Sequence, residues 1–133
     1  MKLPLNNIYQ AVNMLFGIKK LGLGMKVDYW CTKNIKTLAD DYNFYAEKLD
    51  LLFENYCDKG EDGQYFAFED DKTIFNLKKD IDEENFSNEF NELMTMECKD
   101  FEPFILNQEI FDNLPNIDSN KFNVDVLNFL LPL

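Results

Sequence analysis

Apolar residues recur every three or four positions through most of residues 5–56, which is the period of an amphipathic helix. The first such stretch predicts a helix that begins after Asn6 or Asn7 as its N-cap and ends near Lys20, with Gly22 beyond its end. Its predicted apolar face consists of Ile8, Ala11, Val12, Leu15 and Phe16. The same pattern continues, after a short connection, into a longer second helix.

The second helix is predicted to run from Asp28, a suitable N-cap, to Tyr56, because no glycine or proline interrupts residues 31–56. Its apolar positions alternate intervals of four and three and form a heptad seam: Cys31, Ile35, Leu38, Tyr42, Tyr45, Leu49, Leu52 and Tyr56. One flank of the seam is widened by Ala39, Ala46 and Phe53. At about 1.5 Å per residue this helix is roughly twice as long as the first. An antiparallel first helix therefore covers only part of it, and later elements must cover the remainder.

Shorter elements are predicted after residue 57. Residues 65–75, YFAFEDDKTIF, predict a β-hairpin around Asp70 and Asp71. Asp80 and Glu83 form a candidate capping box for a third helix that ends near Thr95. The apolar side of that helix consists of Phe86, Phe90, Leu93 and Met94. A strand over residues 98–106, a short turn or helix over residues 108–114 and an amphipathic helix in residues 119–133 complete the prediction.

Together these elements predict a predominantly helical α+β fold. It consists of an N-terminal antiparallel helical hairpin with one long helix, a small β-hairpin or sheet, and C-terminal helices. No repeat, linker or low-complexity tract divides the 133 residues, so a single domain is expected over residues 1–133. Residues 1–57 form its helical hairpin, and residues 58–133 form an acidic α+β portion packed on the long helix.

Cysteine and histidine usage excludes several kinds of chemistry. Cys31, Cys57 and Cys98 are far apart and unpaired in spacing, which indicates buried thiols in a reducing cytoplasm rather than disulfides or a thiolate zinc site. The chain contains no histidine, so Ser-His and Cys-His nucleophile arrangements are excluded. No apolar run approaches the roughly 20 residues needed to cross a bilayer. A cytoplasmic protein without catalytic residues, cofactor or membrane contact is expected.

Charge is segregated along the chain. Residues 1–39 contain six lysines and the single acid Asp28, whereas residues 40–133 contain seven lysines and 24 acids. The overall net charge is -12, and there is no arginine to recognise phosphates or base edges. Most of the surface therefore repels a nucleic-acid backbone. We expect no direct binding to nucleic acid, and we expect a basic protein as the partner.

The outward face of the second helix carries this segregation. Its side chains are basic near the N-terminus and acidic near the C-terminus: Lys33, Lys36, Asp40, Asn43, Glu47, Asp50 and Glu54. We call Asp40, Glu47, Asp50 and Glu54 the acidic row. The helix dipole prefers the reverse order by roughly 0.3–1 kcal/mol per well-placed charge, so helix stability does not explain the order. Either the face is merely solvated, or it is kept acidic to meet a basic partner.

Two apolar residues and a turn extend this candidate partner-binding site. Phe44 and Leu51 lie off the seam, where either a second packing layer or exposure as partner anchors accounts for them, and the packing layer is favoured. Asp70 and Asp71 add acidic charge at the hairpin turn. The predicted partner-binding residues are therefore the acidic row with Phe44, Leu51, Asp70 and Asp71.

Two short motifs suggest metal chemistry, and neither is complete. In residues 58–69, Asp58, Asp62 and Glu69 stand first, fifth and twelfth, as in a calcium loop, but Gly60 occupies the third position and no helix is predicted to follow. An ordinary acidic turn is favoured over a calcium site. Residues 97–99 have the acid-any-lysine spacing of metal-dependent nucleases, without a convincing preceding aspartate.

The order of elements resembles a family of small phage and prophage proteins of unknown function. The resembling stretches are NIYQAVNMLFGI, MKVDYWCTKNIKTL, FSNEFNELMTMEC, FEPFILNQEIFDNLPNI and VDVLNFLLPL, which together span nearly the whole chain. The resemblance implies a mobile-element origin and a cytoplasmic life in a bacterial host, and it carries over no active-site residue.

The leading hypothesis is a non-enzymatic inhibitor of a host defence nuclease, similar to anti-CRISPR proteins, whose carboxylates occlude a nucleic-acid-binding groove. The alternative is a phage structural or assembly accessory that pairs with itself or another subunit through the heptad seam or the apolar C-terminal helix. A monomer or weak homo-oligomer is expected under the first hypothesis. A calcium-responsive module is a third hypothesis, tested by a calcium-induced shift in melting temperature.

Overall fold

The computed structural model describes residues 1–70, 72–114 and 124–132. Its elements, in chain order, are α1 (Leu5–Lys19), α2 (Met25–Tyr56), β1 (Phe66–Glu69), β2 (Lys72–Phe75), α3 (Glu83–Thr95), α4 (Gln108–Asp112) and a C-terminal 3₁₀ helix (Val124–Leu130). The two strands form an antiparallel sheet. The predicted helix-rich α+β fold, with a helical hairpin and one long helix, is confirmed.

Both helices of the hairpin begin earlier than predicted. Helix α1 starts at Leu5, whose amide donates to the Met96 carbonyl at 2.8 Å, so Asn6 and Asn7 lie inside the helix and neither is its cap. Helix α2 starts at Met25, after Gly24 with a φ of 106°, a conformation that glycine adopts without a Cβ clash. The predicted Asp28 cap is wrong, and this carboxylate instead lies in the first turn of α2.

One end of the hairpin is closed by the C-terminal 3₁₀ helix. Leu15 and Ile18 of α1 pack in one core cluster with Trp30 of α2 and Leu130 of the 3₁₀ helix. The Trp30 indole Nε1 donates to the Leu130 carbonyl at 3.1 Å, which fastens this helix to α2. The predicted α-helix there is a 3₁₀ helix in the described residues 124–130, and residues 119–123 lie outside the described chain.

The heptad seam of α2 faces the core, and its two halves differ in depth. Four members spaced by seven residues are buried: Cys31, Leu38, Tyr45 and Leu52. The intervening four are half-buried: Ile35, Tyr42, Leu49 and Tyr56. Phe16 of α1, which the sequence placed on the apolar face, is 42% exposed, and its ring makes an edge contact with that of Tyr42.

Beyond the reach of α1, the hairpin β1–β2 and α3 cover the end of α2. Phe53 of α2 and Cys57, which follows the last residue of that helix, pack against Phe86 of α3, with Phe66 and Phe75 of the sheet beside them. The strand register pairs Phe66 with Phe75 and Glu69 with Lys72, which confirms the predicted hairpin. The expectation that later elements cover the remainder of the long helix is also confirmed.

Local predictions in the second half of the chain are less accurate. Asp82 is the cap of α3, since its carboxylate accepts from the amides of Glu84 at 3.0 Å and Asn85 at 3.2 Å. Asp80, the predicted cap, has a φ of 65° in the preceding turn. Residues 98–106, all described, form no strand; their backbone is held by single bonds such as that from the Cys98 amide to the Leu3 carbonyl. Of the short turn or helix predicted in residues 108–114, the structure shows a helix, α4, capped by Asn107.

Candidate protein-binding face on α2 and α3

The acidic row lies on the solvent side of α2. Asp40, Glu47, Asp50 and Glu54 are all exposed and span about 21 Å of the helix. Asp40 lies 3.8 Å from Lys99 Nζ, and both side chains are exposed, so this ion pair is weak. Within the described chain the other three carboxylates form no ion pair within 4.0 Å. Three carboxylates of the row are therefore available to an external cation.

The fold does not offset the unfavourable order of charges along α2. The last turn of the helix contains no basic residue, and its first turn contains one acid, Asp28, which pairs with Lys19 at 3.8 Å. Glu54 therefore faces the negative end of the helix dipole without a helical neighbour that compensates it. Glu54 is thus a negative charge near the C-terminus of α2, where an isolated helix would favour a positive one, and its side chain is exposed to solvent.

Phe44 and Leu51 line a groove between α2 and α3. They are 39% and 41% exposed, and Met96, just after α3, is 41% exposed on the opposite side. The expected second packing layer over Phe44 and Leu51 is wrong for the described part of the chain. Buried Leu52 and Leu93 form the floor of this space, which has a volume of about 270 Å³. We call it the α2–α3 groove.

The hairpin turn stands apart from this face. Asp70 is exposed with a φ of 49°, and no hydrogen bond or ion pair joins it to the acidic row within the described residues. Asp71, the other predicted turn residue, lies outside the described chain. The structure therefore groups the acidic row with Phe44 and Leu51, and it does not group Asp70 with them.

The candidate calcium residues have separate local roles. The Asp62 carboxylate accepts from the Gln64 amide at 3.0 Å and closes a turn. The Asp58 amide donates to the Asn76 carbonyl at 2.8 Å, and Glu69 is paired with Lys72 across the hairpin. Across residues 1–70, 72–114 and 124–132, no group of three potential metal-ligating side chains is found. Asp58, Asp62 and Glu69 are not brought together as a cation site.

The three cysteines are buried and free, as predicted. Burial, with a contribution from Asp28, raises the pKa of the Cys31 thiol to about 11, and burial raises that of Cys57. The pKa of the Tyr45 hydroxyl rises to about 12, chiefly through burial. Cys31 and Tyr45 are therefore neutral at pH 7, and a neutral thiol is a poor nucleophile.

Residues on α3 complete the face and are missed by the sequence prediction. Glu89 and Glu92 line the α2–α3 groove opposite the acidic row. Glu89 lies close enough to Tyr56 to raise the pKa of its hydroxyl through a hydrogen bond. The helical period of α3 indicates that Leu93 is buried and that these two acids are exposed, but it does not predict that they lie beside α2.

Among the described residues, no helix is both long and apolar enough to cross a membrane.

A larger pair of clefts lies elsewhere, beside Met25 and Ile110, with volumes of about 660 and 560 Å³. None of the partner-binding or calcium residues predicted from the sequence lines either cleft. The α2–α3 groove is lined by Phe44 and Leu51, the apolar residues singled out on α2, whereas the acidic row lies outside its lining on the same helix. Comparisons of the chain with protein-family models, with curated proteins and with solved structures found no match.

Proposed function

We propose that the protein binds and inhibits a basic protein partner through the acidic row, and that this partner is a host defence nuclease. The protein then acts in the cytoplasm of a bacterial host as a mobile-element inhibitor, in the manner of anti-CRISPR proteins. The observation that carries the proposal is the exposure of Glu47, Asp50 and Glu54, which no described cation pairs.

The geometry of a helix suits this form of competition. A nuclease holds nucleic acid in a groove lined by lysine and arginine, and those residues need negative charge of similar spacing. Glu47, Asp50 and Glu54 follow one another at three and four residues, or about 4.5 to 6 Å along α2. One strand of a duplex carries a phosphate about every 3.4 Å. A rigid helix therefore offers a comparable but sparser line of charge, with no backbone for the nuclease to cut.

Inhibition of this kind occurs by contact and without turnover. Charge complementarity mainly accelerates encounter and fixes orientation, and apolar contacts then slow dissociation. Phe44 and Leu51 lie beside the acidic row and supply such contacts. We therefore expect substitutions of charged residues to change the association rate and substitutions of apolar residues to change the dissociation rate.

The test is inhibition of guide-directed DNA cleavage by purified CRISPR effector nucleases, with the protein added in increasing amounts. The variant Glu47→Lys/Glu54→Lys reverses two charges of the acidic row. The matched control Glu61→Lys/Glu102→Lys makes the same change in net charge at two exposed positions elsewhere. We expect the row variant to require at least about tenfold more protein for half inhibition. A tenfold change corresponds to a loss of about 1.4 kcal/mol in binding free energy. Equal loss in both variants, or no inhibition by the native protein, would contradict the proposal.

The alternative, assembly through the heptad seam or the C-terminal helix, receives less support from the fold. Leu38 and Tyr45 of the seam and Leu130 of the 3₁₀ helix are buried within the chain itself. Pairing through them would require α1 or the 3₁₀ helix to leave its place. Light scattering over a range of protein concentrations distinguishes the two, because assembly requires a concentration-dependent oligomer and inhibition is compatible with a monomer.

A further inference from the structure

The α2–α3 groove combines apolar walls with acidic rims on both sides. Phe44 and Leu51 form one wall and Met96 part of the other. Glu47 and Glu54 do not line the groove; both are exposed on α2, about 60–80° around the helix from Phe44, just outside the α2 wall. On the other side, Glu89 and Glu92 of α3 line it. A partner that enters the groove therefore meets apolar surface and Lys48 in the middle, the carboxylates of α3 along one edge, and those of Glu47 and Glu54 just beyond the other.

Lys48 shows how a cation fits into this space. It lines the groove, and its Nζ lies 5.6 Å from the centre of the Phe44 ring, where an ammonium is attracted by the face of the aromatic ring. Within the described chain it forms no ion pair within 4.0 Å. A lysine or arginine of a partner can take the same position over the ring while Lys48 turns into solvent.

The dimensions of the groove favour side chains of a peptide over a small molecule. Its volume of about 270 Å³ lies below the roughly 300–1,000 Å³ of typical small-molecule sites. Its α2 wall extends from Phe44 to Asn55, about 16 Å, or three helical turns. A bound helix presents apolar anchors at positions i, i+3 or i+4, and i+7, which span about 10 Å. Two or three such anchors fit along this wall.

We infer that the α2–α3 groove receives one basic amphipathic helix of the partner, with apolar anchors against Phe44, Leu51 and Met96 and with lysines or arginines paired to the acids of both rims. The inference rests on the proposed function in that the occupant belongs to a basic protein partner. It adds a defined docking element and assigns roles to Glu89, Glu92 and Met96, which the acidic row alone does not involve.

The probe is a synthetic peptide of about 15 residues, long enough for a marginal helix, with leucines at i, i+4 and i+7 and lysines at the remaining positions of its basic faces. A second peptide has the same composition with the leucines dispersed. Binding is measured by fluorescence anisotropy to the full chain and to Leu51→Ser and Glu92→Lys. The matched controls are Leu21→Ser, at an exposed leucine outside the groove, and Glu102→Lys.

We expect the amphipathic peptide to bind at least tenfold more tightly than the dispersed one. Leu51→Ser and Glu92→Lys each weaken it at least threefold, and the two controls do not. Equal affinity for both peptides, or equal losses in groove and control variants, would show attraction by net charge alone and would overturn the inference. So would a dimer of the native protein that Leu51→Ser dissociates, because the occupant would then be a second copy.

The failure of this inference and that of the proposed function can be told apart. If the peptide binds the groove but no effector nuclease is inhibited, the docking site stands and the proposed target is wrong. If Leu51→Ser and Glu92→Lys inhibit the nuclease as well as the native protein does, the groove is not the docking site while inhibition stands. Circular dichroism melts of each variant confirm that the exposed substitutions leave the fold intact.

Discussion

Asn34 is the one buried polar side chain among the described residues, at 1% exposure, and it fastens residues 98–106 to α2. Its Nδ2 donates to the Phe104 carbonyl at 2.9 Å, and its Oδ1 accepts from the Phe104 amide at 3.1 Å. Nδ2 also donates to the Trp30 carbonyl at 3.0 Å. We predict that Asn34→Ala removes this attachment, because a methyl group can neither donate nor accept.

The expected loss can be estimated from the groups left without a partner. The Phe104 amide and carbonyl are partly buried, and an unsatisfied group of this kind costs about 1–3 kcal/mol. The Trp30 carbonyl is in the body of a helix, so losing its side-chain donor matters less. Alanine returns about 0.5 kcal/mol through its higher helix propensity. The free energy of unfolding should therefore fall by about 1.5–5.5 kcal/mol.

Urea denaturation followed by circular dichroism measures this loss, with Asn43→Ala as the matched control. Asn43 lies on the same helix but is exposed, so its replacement should change stability by no more than about 0.5 kcal/mol. Hydrogen exchange should accelerate at the Phe104 amide in Asn34→Ala. A loss below about 1 kcal/mol, or one equal to that of the control, would refute the assigned role of Asn34.

Three further predictions concern charge, ionisation and aromatic packing. Glu54→Lys should raise the free energy of unfolding by about 0.3–1 kcal/mol, because α2 gains a cation at its negative end, while it weakens partner binding; a lower melting temperature would contradict this. Burial raises the pKa of the Cys31 thiol from 9.0 to about 11, so the unfolded chain loses this proton at lower pH than the folded protein does. The free energy of unfolding should therefore be unaffected by this thiol below pH 9 and should fall between pH 9 and 11, by on the order of 2 kcal/mol after allowance for screening. Urea titrations across that range should show a smaller decline in Cys31→Ala, and an equal decline would exclude this thiol as the cause. Phe53→Ala removes a ring that stacks on Tyr65 at 5.4 Å and should cost about 3–4 kcal/mol in thermal denaturation, whereas a loss under about 1 kcal/mol would show that the cluster packs without it.

Periodicity predicted the long elements because burial along them repeats. The intervals of four and three in α2 persist over 26 residues, so the buried face of the helix can be identified even if one or two positions deviate from the pattern. The hairpin is likewise set by short-range signals, namely two short strands around an acidic turn. Such features depend on neighbours in the chain, and they are predictable from it.

Features that depend on distant partners were predicted poorly. Helix α1 begins at Leu5, after Pro4 as its cap, and the Leu5 amide donates to the Met96 carbonyl, a bond across most of the chain. Residues 98–106 have a strand-like pattern but find a side chain, Asn34, rather than a neighbouring strand. Asp80 and Asp82 are both residues that suit a helix cap; the chain turns at Asp80, with a φ of 65°, and the Asp82 carboxylate accepts the amides of α3.

The candidate site divides in the same way. Exposure of the acidic row follows directly from the seam, so the sequence alone places Glu47 and Glu54 in solvent. The second rim of the groove required knowledge of how α3 crosses α2. Glu89 and Glu92 therefore entered the site only once the packing of the two helices was known.

The central claim is that the acidic row competes with nucleic acid for a basic groove of a nuclease. Displacement of fluorescently labelled nucleic acid from a purified effector nuclease by the native protein tests it most directly, at salt concentrations from about 0.05 to 0.5 M. Both ligands are attracted electrostatically, so direct affinity of the protein for the effector is measured at each salt concentration as well. The account predicts displacement at low salt and an affinity that falls steeply as salt increases. Failure to displace, or an affinity that does not change with salt, would contradict it.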